Sequence, residues 1–190
     1  MLIERFAIHE KKNVALFVPK AAKEPVWERE LRNRLPDVFK GYSRLKIFSH
    51  TDLMREKIAE ELDRVAEEAD VIIIDEAHHF RNTGIRGEEG ETRKSRYWKL
   101  YDLADGKEMY MLTATPINNR LTDFQHMVEL FSRHRPDHFS GGTLGIHSFP
   151  GYIRQLEKRI EGEIYGRSND DEALELNGAD VALRLQADPL

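Results

Sequence analysis

The sequence predicts an α/β fold, a mainly parallel sheet with helices on both faces. Three observations carry that prediction. Short β-rich runs alternate with longer segments of helical periodicity, the pattern of βαβ units. One run, Val71 to Ile74, is apolar and β-branched throughout, as a strand covered on both faces requires. The chain has 190 residues, 40% of them hydrophobic, which is enough for the core of one domain.

The elements follow in order. Residues 2–6 read as the tail of a helix with no start signal of its own. Residues 13–18 form an apolar strand stopped by Pro19. Pro25 suits the first turn of a helix, in which Trp27, Leu31 and Leu35 recur every four residues. Residues 45–48 are the next strand. Thr51 and Asp52 are caps for a helix whose buried stripe is Met54, Ile58, Leu62 and Val65. Asp70 leads into the strand from Val71 to Ile74. A polar, glycine-containing loop spans 80–92, and 93–103 is helical with Trp98 and Tyr101 on one side. Residues 108–112 are a further strand. Leu121, Phe124, Val128 and Phe131 then mark an amphipathic helix.

Beyond Pro136 the pattern weakens. Gly141-Gly142 and Pro150-Gly151 are breakers, 152–164 is helical, and 168–190 carries six acids against one base, as a frayed end does. The expected organisation is a core domain over 1–135 and a helical or irregular extension over 136–190.

Composition narrows the function classes. The formal charge of −5 does not announce a nucleic-acid binder, although a local basic stripe can sit on an acidic body. With no cysteine, disulfides, thiolate metal sites and cysteine nucleophiles are excluded within these residues. No apolar run approaches the ~20 residues needed to span a bilayer, and no signal-peptide pattern opens the chain. The expectation is a cytoplasmic protein with no membrane partner.

Two motifs carry chemistry. The first is the run Val71 to Ile74 followed by Asp75-Glu76-Ala77-His78-His79. In an open parallel sheet, ligands bind beyond the carboxyl ends of the strands, which is where this run delivers two adjacent carboxylates. Phosphoryl transfer needs one carboxylate to help hold Mg²⁺ and another group to orient or deprotonate water. Asp75 suits the first role and Glu76 the second. The bland alternative is that Asp-Glu caps the element that follows. The second motif, Leu112-Thr113-Ala114-Thr115-Pro116-Ile117-Asn118-Asn119, also follows a strand. The hydroxyls of Thr113 and Thr115 can exchange hydrogen bonds between neighbouring loops, or they can do the local work of an ordinary turn. The two motifs gain force together, in this order, about forty residues apart and each behind a strand.

Asp75-Glu76-Ala77-His78 resembles motif II of superfamily-two helicases, in the DEAH form, and Leu112 to Asn119 resembles motif III in its Swi/Snf-like form. Leu16-Phe-Val-Pro19-Lys20 with Val26-Trp27 resembles motif Ia, and Ile47-Phe-Ser49-His50-Thr51 stands where motif Ib would lie. The resemblance covers about residues 1–135. It implies a RecA-like P-loop NTPase lobe that binds ATP and Mg²⁺ and, joined to a second RecA-like lobe, tracks along double-stranded DNA. By that resemblance Asp75 is the Mg²⁺ ligand and Glu76 the catalytic base. His78, also at the nucleotide, belongs with Thr113, Ala114, Thr115 and Pro116 to the coupling group. Pro19, Lys20 and Thr51 face the nucleic-acid backbone.

One departure stands against these matches. No G-x-x-x-x-G-K-[ST] loop, whose amides and lysine would cradle phosphates, occurs in the 190 residues. Lys94-Ser95 follows Arg93 in an acidic loop (Glu88, Glu89, Glu91), and Gly106-Lys107 is followed by Glu108. The resemblance therefore reads as a lobe whose first strand and phosphate loop are missing, so a fragment of a longer motor, poor in ATP hydrolysis alone. Two other readings stay open: a nucleotide-free RecA-like scaffold within a larger assembly, and a metal-dependent hydrolase using Asp75, Glu76 and the histidines. Zinc ligation by the eight histidines is disfavoured by the lack of H-E-x-x-H and of cysteine. Arg81, Arg86, Arg93, Lys94, Arg96 and Lys99 form a basic stretch that either meets DNA phosphates or is a solvated face. Trp27, Trp98 and Tyr101 read as core rather than as base-stacking platforms.

Overall fold

A computed structural model describes residues 2–39, 43–87, 94–117, 120–141 and 143–165. Several sequence expectations lie outside the described residues: Asn118 and Asn119, Glu88, Glu89, Glu91 and Arg93, Gly142, and the acidic stretch 168–190. The chain divides into two compact units, Met1–His134 and Arg135–Leu190.

In the first unit, four described strands form one sheet: β1 (Val14–Val18), β2 (Leu45–Ser49), β3 (Val71–Ile74) and β4 (Glu108–Met111). Their order is β2-β1-β3-β4 and every pairing is parallel, as the alternation of strands and helices predicts. Strand residues alternate between faces, and two apolar clusters result. On one face Ala15, Phe17, Phe48, Ile72 and Ile74 meet Val65, Leu100 and Leu130 from the helices α3 (Ala59–Glu68), α4 (Arg96–Leu103) and α5 (Leu121–Phe131). On the other, Val14, Leu16, Val18, Val71 and Ile73 meet Phe6 from the N-terminal helical segment and Leu31. That leucine belongs to α2 (Arg29–Arg34), which follows the short α1 (Lys20–Ala22). β1 and β3 are buried along their whole length because they are the inner strands, while Glu108 on the outer strand β4 is exposed.

Several local expectations are corrected. Pro25 does not open a helix: the helical run starts at Lys20, behind Pro19, and Pro25 sits inside a π-type turn, Lys23–Glu28. A proline ring displaces the carbonyl four residues back, and the wider turn accommodates that, with the Arg29 N–H reaching the Glu24 carbonyl. Thr51 and Asp52 do not cap one long helix. Ser49 precedes a tight turn, His50–Met54, and its N–H donates to Asp52 Oδ2 at 2.7 Å. Arg55 is extended before the chain turns helical again, and its guanidinium lies 3.0 Å from Asp52 Oδ1, so Asp52 is satisfied locally.

In α5 the buried residues are Met127 and Leu130, while Phe131 is 44% exposed. The Tyr97 hydroxyl from α4 donates to the His126 carbonyl at 3.0 Å, and Ser132 is buried, so packing partners select this face over the one periodicity favours. α4 begins at Arg96 behind Ser95, later than the apolar pattern implies. In the second unit the helix α6 (Phe149–Tyr165) buries Phe149 and Ile153. No helix among the described residues is long and apolar enough to cross a membrane.

Candidate active site

All four strands of a parallel sheet end on the same edge, so the segments after them converge there. After β1 come Pro19 and Lys20, and after β2 come His50 and Thr51. Val18 is paired with Ser49, which makes these two exits neighbours. Asp75 and Glu76 follow β3, and Leu112 and Thr113 follow β4.

The turn after β3 is held by backbone bonds on both sides. The Asp75 N–H donates to the Phe17 carbonyl at 2.9 Å, prolonging the pairing with β1. The Leu112 N–H donates to Ile74 O at 2.8 Å, and the Ala77 N–H to Leu112 O at 2.9 Å, which ties this turn to the one after β4. Glu76 turns the chain with φ of 50° and ψ of 52°, a left-handed conformation that side-chain-bearing residues disfavour. A tight turn, Ala77–Phe80, follows.

Each carboxylate has a distinct partner. Asp75 Oδ2 accepts the indole N–H of Trp27 at 2.8 Å. Glu76 Oε2 lies 3.1 Å from His78 Nδ1, and the same nitrogen lies 3.2 Å from Thr113 Oγ1. One imidazole nitrogen is a donor or an acceptor, never both at once. As N–H it donates toward Glu76. As a bare nitrogen it accepts the Thr113 hydroxyl. Thr113 Oγ1 also accepts the Thr115 N–H at 3.3 Å. Thr113 thus reaches the neighbouring turn through its hydroxyl, and Thr115 joins it through its backbone N–H. Ala114, Thr115 and Pro116 are exposed.

Beside this turn, His50 is buried, its ring 5.2 Å from that of His79 and 5.1 Å from that of Phe80. Burial pushes its pKa down to about 4, with His79 adding to the effect. The pKa of His79 is lowered as well, by burial and by the neighbouring His78. Both rings are therefore neutral near pH 7, and neither offsets the charge of the two carboxylates. At the neighbouring strand exits, Lys20 and Thr51 are exposed, and Thr51 Oγ1 lies 2.9 Å from Ser49 Oγ. The basic stretch is partly engaged within the fold: Lys94 pairs with Asp102 at 2.7 Å, and Arg86 lies over the Trp98 ring at 4.7 Å.

Sequence reasoning missed Trp27 as a site residue. It reads as core there and does pack against the second cluster, but its polar edge reaches Asp75, 48 positions away. No local pattern signals a contact of that separation.

The sequence model of the family described as Type III restriction enzyme, res subunit, matches residues 3–118. That span contains the whole sheet and every site residue named above. The chain belongs to that family. Res-subunit domains are N-terminal lobes of superfamily-two helicases, ATP-dependent enzymes of nucleic acids that generally use ATP and Mg²⁺. No curated protein matches the chain. The donor set in this res-subunit domain fits Mg²⁺. Asp75 is a hard oxygen donor, half-buried, with one oxygen engaged and Oδ1 without a hydrogen-bond partner among the described residues. Mg²⁺ is usually held by one or two carboxylates together with phosphate oxygens and waters, not by a protein cage. Among the described residues no group of three or more His, Asp or Glu is gathered to hold a metal by itself.

Proposed function

We propose that this res-subunit domain is the carboxylate-bearing part of a Swi/Snf-like motor lobe that couples Mg-ATP hydrolysis to movement on double-stranded DNA. The observation that carries the reading is the pair of turns after β3 and β4, joined through Ala77, Leu112, His78 and Thr113.

In this mechanism Asp75 holds Mg²⁺, which neutralises charge on the phosphates when bound. Glu76 orients the attacking water and takes its proton. His78 has two competing partners for one nitrogen, Glu76 and Thr113. A change in the charge or position of Glu76 therefore alters the bond to Thr113 and shifts the Thr113–Pro116 turn. That is the coupling a motor needs. Pro19, Lys20 and Thr51, at neighbouring strand exits, meet the nucleic-acid backbone, with Lys20 supplying charge and Thr51 a hydroxyl. A second RecA-like lobe completes the nucleotide site and converts the movement of the turn into translocation.

No G-x-x-x-x-G-K-[ST] occurs in these 190 residues, and in this reading a segment outside them supplies the phosphate cradle. The coding sequence ahead of Met1 tests this directly, with an in-frame G-x-x-x-x-G-K-[ST] expected. A protein extended through that loop and the second lobe should hydrolyse Mg-ATP with stimulation by duplex DNA. Glu76→Gln should then lower kcat by at least ~100-fold, the usual scale for a general base. Hydrolysis indifferent to Glu76→Gln would sink the assignment. The missing cradle also supports a second reading, a nucleotide-free scaffold within a larger complex. Tight Mg-ATP binding by the purified chain counts against that reading.

A further inference from the structure

Trp27 and Asp75 are joined across the sheet edge by a single hydrogen bond of 2.8 Å. Both ends of that bond are anchored. Asp75 is fixed through its backbone N–H to Phe17 of β1, and Trp27 lies in the π-type turn that follows β1. The next helix, α2, is seated by Leu31, which is 1% exposed, and the indole packs against the same apolar cluster. The π-type turn matters because an extra residue per turn rotates every later side chain around the helix axis. Pro25 lies within that turn, and the turn sets where the indole edge arrives.

We infer that Trp27 is a positioning residue for the cation ligand Asp75, an inference that rests on the reading of Asp75 as the Mg²⁺ site. A carboxylate can rotate and can bind through either oxygen. The indole N–H occupies Oδ2, which fixes the plane of the carboxylate and leaves Oδ1 as the oxygen offered to the ion. The donor is also neutral. An arginine or lysine there would orient the carboxylate equally well but would cancel the charge that attracts the cation. Tryptophan orients without neutralising. Trp27 also follows Pro19 and Lys20 on the same helical run, so a shift of that run moves the ligand.

The test uses the purified chain with Mn²⁺ and a non-hydrolysable ATP analogue, both at millimolar concentration, as the probe, so that phosphate oxygens supply the ligands Asp75 does not. The chain has two tryptophans, so an ¹⁵N-indole spectrum holds two signals, assigned with Trp98→Phe. The Trp27 signal should move upfield in Asp75→Asn, and Mn²⁺ should broaden it in the wild type. Trp27→Phe keeps an aromatic ring and removes the donor. It should weaken Mn²⁺ binding, read by water-proton relaxation, by about 10-fold or more, the scale typical of an outer-shell partner of a metal ligand. If Trp27→Phe does not fold, benzothienylalanine at position 27 replaces the N–H by sulfur in the same shape and should have the same effect. Mn²⁺ binding lost in Asp75→Asn but unchanged without the indole N–H overturns the positioning role and leaves the Asp75 site standing. Binding unchanged in Asp75→Asn, or no Mn²⁺ effect on the wild type, overturns the Asp75 site and the positioning role with it.

Discussion

Glu76, the proposed base, stands in a backbone conformation that its own side chain disfavours. A residue with a Cβ held at φ of 50° sits about 1–2 kcal/mol above its preferred conformation, and glycine carries no such penalty. Glu76→Gly should therefore stabilise the fold by about 0.5–1 kcal/mol in urea denaturation, while removing the carboxylate the proposed chemistry needs. A loss of stability instead would show that the Glu76–His78 contact outweighs the strain. His50 gives a second residue-scale expectation. Its folded pKa lies near 4, against an ordinary value of 6.5. As pH falls below about 6.5 the unfolded chain takes up a proton there that the folded chain refuses. The contribution is present above pH 6.5 and is lost progressively down to about pH 4, on the order of 3 kcal/mol in all. Thermal melts between pH 7 and pH 4.5 should fall accordingly, with a shallower slope in His50→Phe. His79, whose pKa is lowered too, adds in the same direction.

At the scale of elements, the turns beyond the strands hold the site through local and cross-strand bonds. Asp52 is 5% exposed, accepts the Ser49 N–H and faces Arg55 and Lys23. Asp52→Ala removes a cap and leaves a buried N–H unsatisfied, so a loss of about 1–3 kcal/mol is expected from chemical denaturation. Asp52→Asn, which keeps an acceptor oxygen, should lose less. In β3, Ile73 is 1% exposed and packs against the N-terminal helical segment and β1. Ile73→Ala should lose about 2–5 kcal/mol, read as a lower urea midpoint with unchanged slope. Much of this scale is legible beforehand. The apolar runs of β1 and β3 and the carboxylates after β3 stand in order in the sequence. The break at Arg55 and the buried face of α5 do not. Both depend on which partners stand opposite, Asp52 for the one and Tyr97 for the other.

At the scale of the whole molecule, both apolar clusters draw their residues from the unit Met1–His134. A chain of residues 1–134 should then unfold in one cooperative transition in calorimetry. A broad, non-cooperative melt would show that the second unit is required for the core to form. The strand order β2-β1-β3-β4 also sets the order of the strand exits along the sheet edge. β1 stands between the exit carrying Thr51 and the exit carrying Asp75 and Glu76, and the helical run after β1 brings Trp27 to Asp75.

The sequence by itself determined the α/β class, the strands, the carboxylates behind β3 and the threonines behind β4, because apolar periodicity and strand-end chemistry are written in neighbouring residues. Family membership follows from the same segment, residues 3–118. Tertiary structure alone decided which of these groups touch. The parallel order sets β3 against β4, so that one nitrogen of His78 faces both Glu76 and Thr113. The π-type turn around Pro25 brings the indole of Trp27 to Asp75. A hydrogen bond between residues 48 positions apart depends on how two strands and a helix pack, and no local pattern encodes that packing.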